Sequence, residues 1–368
     1  MILSFITKYK PAIILTLALA VFLASCKLPT TTTPGKSWVV STFVGNGTEG
    51  YNTANAIGIG AQFRGPYDMA VDSADNVYVA DYGNHCIRKI TPEGVVSTFA
   101  GSRTAGFADT DTDNNVVAQF RNPTDVAVDS SGNLYVADYG NHRIRKIDTT
   151  TREVTTLAGS TRGYEEGTGT AAKFDKPHSV AVDSDGNVYV ADYGNHRIRK
   201  ITSGGDVTTL AGNGEAGFAN GAGATAQFNG SLGVAVDSSD NVYVADVRNH
   251  RIRKIDTTTR EVTTFAGIGI AGLANGAGTV ARFDRPYSVA VDSSDNVYVV
   301  DTGNHCIRKI TPGGGEVTTL AGNGEADFEN GAGTAAQFDN PTGVVVDSSG
   351  ILYVADKGNN RIRKIEYK

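Results

Sequence analysis

One unit of sequence occurs six times along this chain of 368 residues. It is clearest at residues 129–147, which read DSSGNLYVADYGNHRIRKI. Successive copies lie 54 to 57 residues apart and begin at Asp72, Asp129, Asp183, Asp237, Asp292 and Asp347. A period of this length is typical of solenoids and propellers, in which each unit buries its apolar face against the next one.

Each unit contains four short segments that alternate in polarity and are rich in β-branched residues. In the second unit they are VAVD (126–129), LYVAD (134–138), RIRKI (143–147) and VTTLAG (154–159). Alternation with a period of two indicates strands rather than helices. Four antiparallel strands per repeat make a propeller blade, and the 44 glycines are consistent with a turn-rich, all-β chain.

The order of the segments predicts how the ring closes. A fourth-strand pattern stands at residues 39–45, before any complete unit, whereas the last unit ends at Ile365 without one. We therefore expect the N-terminal strand to complete the C-terminal blade, which removes the open sheet edges. The sequence predicts a six-bladed β-propeller of four-stranded blades over residues 38–368.

The segment Tyr-Val-Ala-Asp followed by Asn-His-Arg-Ile-Arg-Lys-Ile resembles the NHL repeat, which is named after an Asn-His-Leu triplet. Here the triplet is Asn-His-Arg or Asn-His-Cys in five units, and the sixth has Asn359-Asn360. The resemblance extends over all six units and implies a propeller. NHL-type propellers include a peptide-amidating lyase, RNA-binding and ubiquitin-ligase substrate modules, and bacterial envelope proteins, so the resemblance implies a fold and not one function.

Residues 1–25 have the features of a secretory signal. Lys8 and Lys10 precede an apolar run over residues 11–24 that is too short to cross a membrane as a helix. Leu23-Ala24-Ser25-Cys26 resembles the lipobox of bacterial lipoproteins, which implies a lipid anchor on Cys26. The Thr- and Pro-rich residues 26–37 then form a tether. We expect a protein anchored in the cell envelope, in the outer membrane if the cell is Gram-negative; the alternative is a secreted protein cleaved nearby.

Charge and motifs exclude several classes of function. A net charge of −6 argues against a nucleic-acid partner, and the chain has neither a P-loop nor a Gly-x-Ser-x-Gly nucleophile. We expect a monomer without a cofactor. The Asp-rich loops leave a divalent cation such as calcium as an alternative, although they lack the residue order of an EF-hand.

The connections from second to third strand and from fourth strand to the next blade must emerge at the same end of the ring. The connections from the fourth strand to the next blade are long, and long insertions on one face often mark a binding surface. Acids in these loops (Asp109, Asp111, Asp113, Glu165, Glu166, Glu215 and Glu325) predict an acidic rim. The positions at this end that vary between units are predicted to ring the channel mouth and to bind the ligand: Tyr67, Asp68, Thr124, Asp125, His178 and Tyr287 before the first strands, and Tyr82, Tyr139 and Tyr193 in the second connections.

Two functions remain open at this mouth, and a third alternative is a chiefly structural envelope protein with no specific ligand. Aromatic rings with a few carboxylates and one imidazole suit a sugar or a peptide, which favours a non-catalytic module that binds a protein or glycan of the envelope. The alternative is a metal-dependent lyase or lactonase-like enzyme, for which Asp68, Asp125 and His178 are the nearest candidates. Positions that are identical in all six units, such as Asp138 and Arg145, are predicted to be structural, because a catalytic site is built once.

Overall fold

The computed structural model describes residues 35–52, 56–110 and 117–368. The predicted signal, the lipidation site Cys26 and most of the tether lie outside these residues. Ser37–Lys368 forms a compact unit. Within the described residues, no helix has the length and hydropathy that crossing a membrane requires.

Six antiparallel sheets, one per repeat, confirm the six-bladed β-propeller. The first strands, which line the central channel, are Pro66–Val71, Asp125–Val128, Pro177–Val182, Ser231–Val236, Pro286–Val291 and Gly343–Val346. The second strands are Val77–Asp81, Leu134–Asp138, Val188–Asp192, Val242–Asp246, Val297–Asp301 and Leu352–Asp356. The third strands are Cys86–Ile90, Arg143–Ile147, Arg197–Ile201, Arg251–Ile255, Cys306–Ile310 and Arg361–Tyr367.

The fourth strands of blades 1 to 5 are Val95–Ala100, Val154–Ala158, Asp206–Ala211, Glu261–Ala266 and Glu316–Ala321. Five blades also carry a two-residue outer strand that the sequence did not predict: Ala56–Ile57, Gly167–Thr168, Gly221–Ala222, Gly276–Ala277 and Gly331–Ala332. One 3-10 turn joins the second and third strands of each blade, namely Tyr82–Asn84, Tyr139–Asn141, Tyr193–Asn195, Val247–Asn249, Thr302–Asn304 and Lys357–Asn359. Further 3-10 turns are Gly58–Gly60, Gly169–Ala171, Pro312–Gly314 and Gly333–Ala335.

The ring closes as predicted. The N-terminal strand Trp38–Val44 pairs antiparallel with Arg361–Tyr367, and Trp38 lies opposite Tyr367. The strand from the start of the repeat array is therefore the fourth strand of blade 6, and hydrogen bonds hold the two ends of the ring together.

The hydrophobic core is divided among the junctions between blades. Each of six apolar clusters combines residues from two neighbouring blades. In one of them, Phe63 of blade 1 packs with Tyr353 and Ala355 of blade 6. The stability of the ring therefore comes from contacts between blades, as is usual for repeat proteins.

A buried ion pair recurs in every blade. Arg145 Nη1 donates to Asp138 Oδ2 at 3.0 Å, and both side chains are fully buried. The equivalent pairs are Arg88–Asp81, Arg199–Asp192, Arg253–Asp246, Arg308–Asp301 and Arg363–Asp356. The arginine also donates to a carbonyl in the segment before the first strand, for example Arg145 to Gln119 O at 3.0 Å. These residues connect parts of the framework, which is the structural role the sequence predicted.

Candidate ligand-binding site

Three aromatic side chains meet at the channel axis. Tyr67, His178 and Tyr287 come from alternate blades 1, 3 and 5, each from the second residue of its first strand. Their ring centroids form a nearly equilateral triangle, with separations of 5.3 Å (Tyr67–His178), 5.4 Å (His178–Tyr287) and 5.7 Å (Tyr67–Tyr287). We call these three residues the ring cluster.

Two of the three positions between the rings carry threonine, and the third carries Leu232 of blade 4. Thr124 and Thr342 occupy the same position in blades 2 and 6, and both hydroxyls point back to the backbone. Thr124 Oγ1 donates to His178 O, and Thr342 Oγ1 donates to Tyr67 O, each at 2.7 Å. The threonines therefore fix the backbone that carries two of the rings instead of filling the axis themselves.

The ring cluster is uncharged near neutral pH. Burial disfavours the imidazolium form and lowers the pKa of His178 to about 3. Burial also raises the pKa of Tyr67 well above its usual value, and the neighbouring Tyr287 adds to this effect. The Tyr67 hydroxyl contacts the Tyr287 hydroxyl and lies 3.4 Å from His178 Nε2. The cluster is thus a neutral, hydrogen-bonded barrier across the channel.

Asp68 and Asp125 lie one residue further into the channel and are buried. Asp125 Oδ2 accepts hydrogen bonds from Ser179 Oγ at 2.6 Å and from Val180 N at 2.9 Å. Asp68 Oδ2 accepts one from Ser288 Oγ at 2.8 Å. Both carboxylates line an inner channel of about 240 Å³, together with valines and alanines of the first strands. They do not line the mouth, where the sequence had placed them, because the ring cluster lies above them.

Burial perturbs both carboxylates. It raises the pKa of Asp125 to about 7, against the effect of its three hydrogen bonds. It also raises the pKa of Asp68, to which the negative charge of Asp125 contributes. Two buried carboxylates on adjacent blades disfavour each other's ionisation, so the pair retains a proton more readily than exposed acids do.

A cavity of about 260 Å³ lies on the outer side of the ring cluster. We call it the mouth cavity. Its lining contains seven of the nine predicted binding residues: Tyr67, Tyr82, Thr124, Tyr139, His178, Tyr193 and Tyr287. Tyr82, Tyr139 and Tyr193 are the first residues of the 3-10 turns in blades 1, 2 and 3, where they are partly exposed. They form an aromatic wall on one side. The rest of the lining consists of Gly230, Leu232, Val247, Arg248 and Arg285.

A larger depression of about 860 Å³ adjoins the mouth cavity. We call it the side groove. Tyr82, Tyr287 and Arg285 line both spaces, and Lys357 and His85 line the groove alone. The two spaces are therefore adjacent, and together they extend from the channel axis toward blades 5, 6 and 1.

The charged side chains that line this site are mainly positive. None of the described residues that line the mouth cavity is an acid, and Glu49 in the side groove pairs with Arg64 at 2.5 Å. Of the acids that define the predicted rim, Asp111 and Asp113 lie outside the described residues. Asp109 contacts the Arg145 guanidinium, and Glu166 accepts a hydrogen bond from Thr209 N, so these two acids do not line the site.

The sequence prediction missed Arg285, the residue that links the cavity and the groove. A signal was available, because Arg285 precedes the proline of the first strand at a position where four other blades have Gly65, Asn122, Gly230 and Asn340. All six residues at this position have positive φ values, and φ is 51° at Arg285. Glycine and asparagine suit this conformation, whereas arginine does not.

Two further features bear on catalytic or redox chemistry. Among the described residues, no group of three or more His, Cys, Asp or Glu side chains is placed to hold one metal ion. Cys86 and Cys306 are buried free thiols, and burial raises the pKa of both.

The fold and site together define a six-bladed propeller with an aromatic cavity at the mouth of its channel. The NHL repeat family model matches once in every blade, at residues 63–90, 120–147, 174–201, 228–255, 283–310 and 338–365. The chain therefore carries six NHL repeats and is an NHL-repeat propeller.

Comparisons with known proteins agree with this assignment. SUPPRESSOR OF QUENCHING 1, chloroplastic, of Arabidopsis thaliana is 31% identical over 320 residues, which cover 82% of this chain and 30% of the plant protein. Human NHL repeat-containing protein 2 is 26% identical, with 82% and 46% coverage. The chain thus spans less than half the length of these curated relatives. The structure of an auxiliary nutrient binding protein from Bacteroides thetaiotaomicron superposes with a TM-score of 0.66 and 21% identity over 90% of this chain and 77% of that one.

Proposed function

We propose that this propeller is a non-catalytic binding module of the bacterial cell envelope, anchored through Cys26, and that it binds a glycan in the mouth cavity. The observation that carries the proposal is the aromatic wall of Tyr82, Tyr139 and Tyr193 above a closed, uncharged floor. The residues that line the mouth cavity differ between blades, whereas the framework residues repeat six times. A specific ligand would therefore bind at the mouth cavity.

The chemistry of the wall favours a sugar. Tyrosine rings bury the apolar face of a flat ligand, while their hydroxyls bind its polar edge. Tyr193 Oη already accepts a hydrogen bond from Arg248 Nη2 at 3.3 Å, so its hydroxyl has a fixed orientation. The similarity in fold to a nutrient binding protein supports a binding role. A peptide is the competing ligand in the experiment below.

The position of the N-terminal strand of the propeller supports anchoring through the tether. Trp38–Val44 is an outer strand, and it begins at the face opposite the mouth, because fourth strands run toward the long-loop end. Replacing Cys26→Ser should move the protein from the membrane fraction to the soluble fraction and remove the lipid mass from its N-terminal peptide.

The test of binding compares two tyrosine variants of the Cys26→Ser protein. Tyr193→Ala removes part of the aromatic wall, whereas Tyr164→Ala removes an exposed tyrosine that stacks on Arg197 in an outer loop, with 3.9 Å from Arg197 Cζ to the ring centroid. Calorimetric titration with oligosaccharides should show at least tenfold weaker binding for Tyr193→Ala and no change for Tyr164→Ala. Equal loss in both variants, or binding of unstructured peptides in place of saccharides, would contradict the proposal.

A further inference from the structure

We infer that the ligand of the mouth cavity is an acidic saccharide, whose carboxylate or sulfate group is held by Arg285 and Lys357 beside the aromatic wall. The inference rests on the proposed function and specifies the class of sugar. It follows from the distribution of charge, from the surroundings of Lys357 and Arg285, and from the residues that line both spaces.

The site is locally positive on a negatively charged chain. The formal net charge of the protein is −6, yet the described residues that line the mouth cavity include two arginines and no acid. The nearest predicted acids, Asp68 and Asp125, lie behind the ring cluster in the inner channel. A ligand in the mouth cavity therefore meets Arg248 and Arg285 with no carboxylate in the lining, since Asp284, the acid next to Arg285, lies outside it.

Lys357 is a cation without an anionic partner in the described part of the chain. Its Nζ lies 4.5 Å from the ring centroid of Tyr67 and 6.0 Å from that of Tyr82. Burial lowers its pKa, which shows that the surroundings disfavour the ammonium charge. The two rings offset part of this cost by cation–π attraction, and a bound anion would offset more.

Arg285 occupies a backbone conformation that is unfavourable for its residue type. Its φ of 51° lies in the left-handed region, where blades 1, 2, 4 and 6 have glycine or asparagine and blade 3 has Lys176 with a φ of 55°. Its closest acid is the adjacent Asp284, with 3.7 Å between Arg285 Nε and Asp284 Oδ1, and that carboxylate also lies 3.5 Å from His250 Nδ1. The guanidinium is exposed and free to form further bonds.

Arg285 lies where a sugar and its acidic group would meet. A guanidinium can bind a carboxylate or a sulfate through two parallel hydrogen bonds. Tyr82 and Tyr287 line both spaces, as Arg285 does, so aromatic surface and cation are adjacent. A pyranose ring against the tyrosines would present an acidic substituent to Arg285 and extend along the side groove past Lys357.

The experiment compares saccharides that differ only in charge. Oligogalacturonate is paired with its methyl ester, and lactose 3′-sulfate is paired with lactose. Titrations use the Cys26→Ser protein at low and at physiological ionic strength. We expect at least tenfold tighter binding of the acidic member in one pair or both, with a preference that shrinks as salt screens the charges. The pair with the larger ratio identifies the anionic group.

Two variants with the same substitution locate the effect. Arg285→Asn keeps the fold, because Asn122 and Asn340 adopt the same conformation in other blades, and it should reduce the acidic preference at least fivefold. Arg260→Asn is the control, since Arg260 also has a left-handed φ of 60° and is exposed but lies in a hairpin at the opposite face. It should leave the preference unchanged. Lys357→Gln should lower the preference further when combined with Arg285→Asn.

The outcomes separate the two proposals. If charged and neutral members bind equally, and Arg285→Asn changes neither affinity, the inference is overturned and saccharide binding stands. If neither member of either pair binds at millimolar concentration, the proposed function is overturned and the inference with it. Equal effects of Arg285→Asn and Arg260→Asn would show that the preference reflects the overall charge of the protein, which also overturns the inference.

Discussion

The backbone N–H of Gly65 donates a hydrogen bond to Oδ1 of Asn360, with 3.0 Å between the two atoms. This bond joins blade 1 to blade 6. At four other junctions the acceptor is Nδ1 of the histidine equivalent to Asn360, and the distances are 3.0 to 3.2 Å. The histidine of the Asn-His motif is therefore an acceptor between blades, and an asparagine replaces it in the sixth repeat.

The junction between blades 3 and 4 lacks this hydrogen bond and provides a matched control. His196 Nδ1 is buried and has no hydrogen-bond partner among the described residues. We predict that His305→Ala lowers the free energy of unfolding by about 1 kcal/mol more than His196→Ala does, because only the first leaves a backbone N–H unpaired. Both variants place alanine in the left-handed region, so that cost cancels. His305→Asn should retain most of the stability. Urea denaturation measures all three, and equal losses in the two alanine variants would contradict the role.

Removal of one member of a buried ion pair should lower the free energy of unfolding more than the histidine substitutions do. Arg145→Met would leave the fully buried Asp138 carboxylate without its cationic partner. We expect the free energy of unfolding to fall by about 3 to 5 kcal/mol, as is typical when one member of a buried pair is removed. Lys146→Met, at the next residue, is the control and should cost less than about 1 kcal/mol, since this half-buried lysine forms only a cation–π contact with Tyr135. Similar losses in both variants would show that the ion pair is not the cause.

The sequence was sufficient to predict the fold because the repeat fixes it six times. Alternating polarity predicted the four strands of each blade, and the unmatched segment at residues 39–45 predicted the closing pair Trp38–Val44 and Arg361–Tyr367. The fifth strands escaped prediction because they are two residues long and rich in glycine and alanine. For example, Gly221–Ala222 has no strand pattern of its own and is defined by its pairing with Glu261 and Val262.

The sequence predicted at which end of the ring the candidate site lies, but not how far along the channel axis each of its residues lies. The residues of the ring cluster and the aromatic wall were identified from two observations: which strand connections emerge at the same end of the ring, and which positions vary between repeats. These observations could not reveal that Tyr67, His178 and Tyr287 converge across the axis, because this depends on how the three side chains pack against one another. The same convergence places Asp68 and Asp125 behind a barrier. The positive lining of the mouth cavity was not predicted either, because the net charge of the chain does not show which side chains line it.

The buried carboxylates predict a specific dependence of stability on pH. Because the pKa of Asp125 is about 7 in the folded protein and near 4 when unfolded, the folded state binds more protons between these values. Its contribution to the free energy of unfolding is therefore present at low pH and is lost as pH rises toward 7. Asp125→Asn removes this loss. Relative to the original protein, the variant should gain about 2 kcal/mol between pH 5 and pH 8.

Ser179→Ala tests the same effect in the opposite direction. The Ser179 hydroxyl donates to Asp125, so its removal raises the pKa of that carboxyl further and should steepen the loss of stability with rising pH. Thermal unfolding across the pH range measures both variants. Parallel pH profiles for Asp125→Asn and the original protein would show that this carboxyl does not titrate in the interval.

Gly343 packs against the backbone of the strand that carries Tyr67 of the ring cluster and Asp68 of the inner channel. It occupies in blade 6 the position that Asp68 and Ser288 occupy in blades 1 and 5, and Ser288 reaches Asp68 past it. A Cβ atom on Gly343 would lie 2.6 Å from Tyr67 O and 2.7 Å from Asp68 Cα, closer than atoms can approach without displacement. Because these are backbone atoms of a central strand, the strand that carries Tyr67 would have to shift.

We therefore predict that Gly343→Ala lowers the free energy of unfolding by about 1 to 3 kcal/mol, as overpacking of a core does. It should also change the near-ultraviolet circular dichroism of the tyrosines, since Tyr67 contacts Tyr287 and His178 at the axis. Gly60→Ala is the control, because a Cβ there meets no atom within 4 Å, and it should change stability by less than about 0.5 kcal/mol. A loss of stability in Gly343→Ala with an unchanged tyrosine spectrum would show that the strand yields without moving the ring cluster, and the floor of the mouth cavity would then be independent of the layer beneath it.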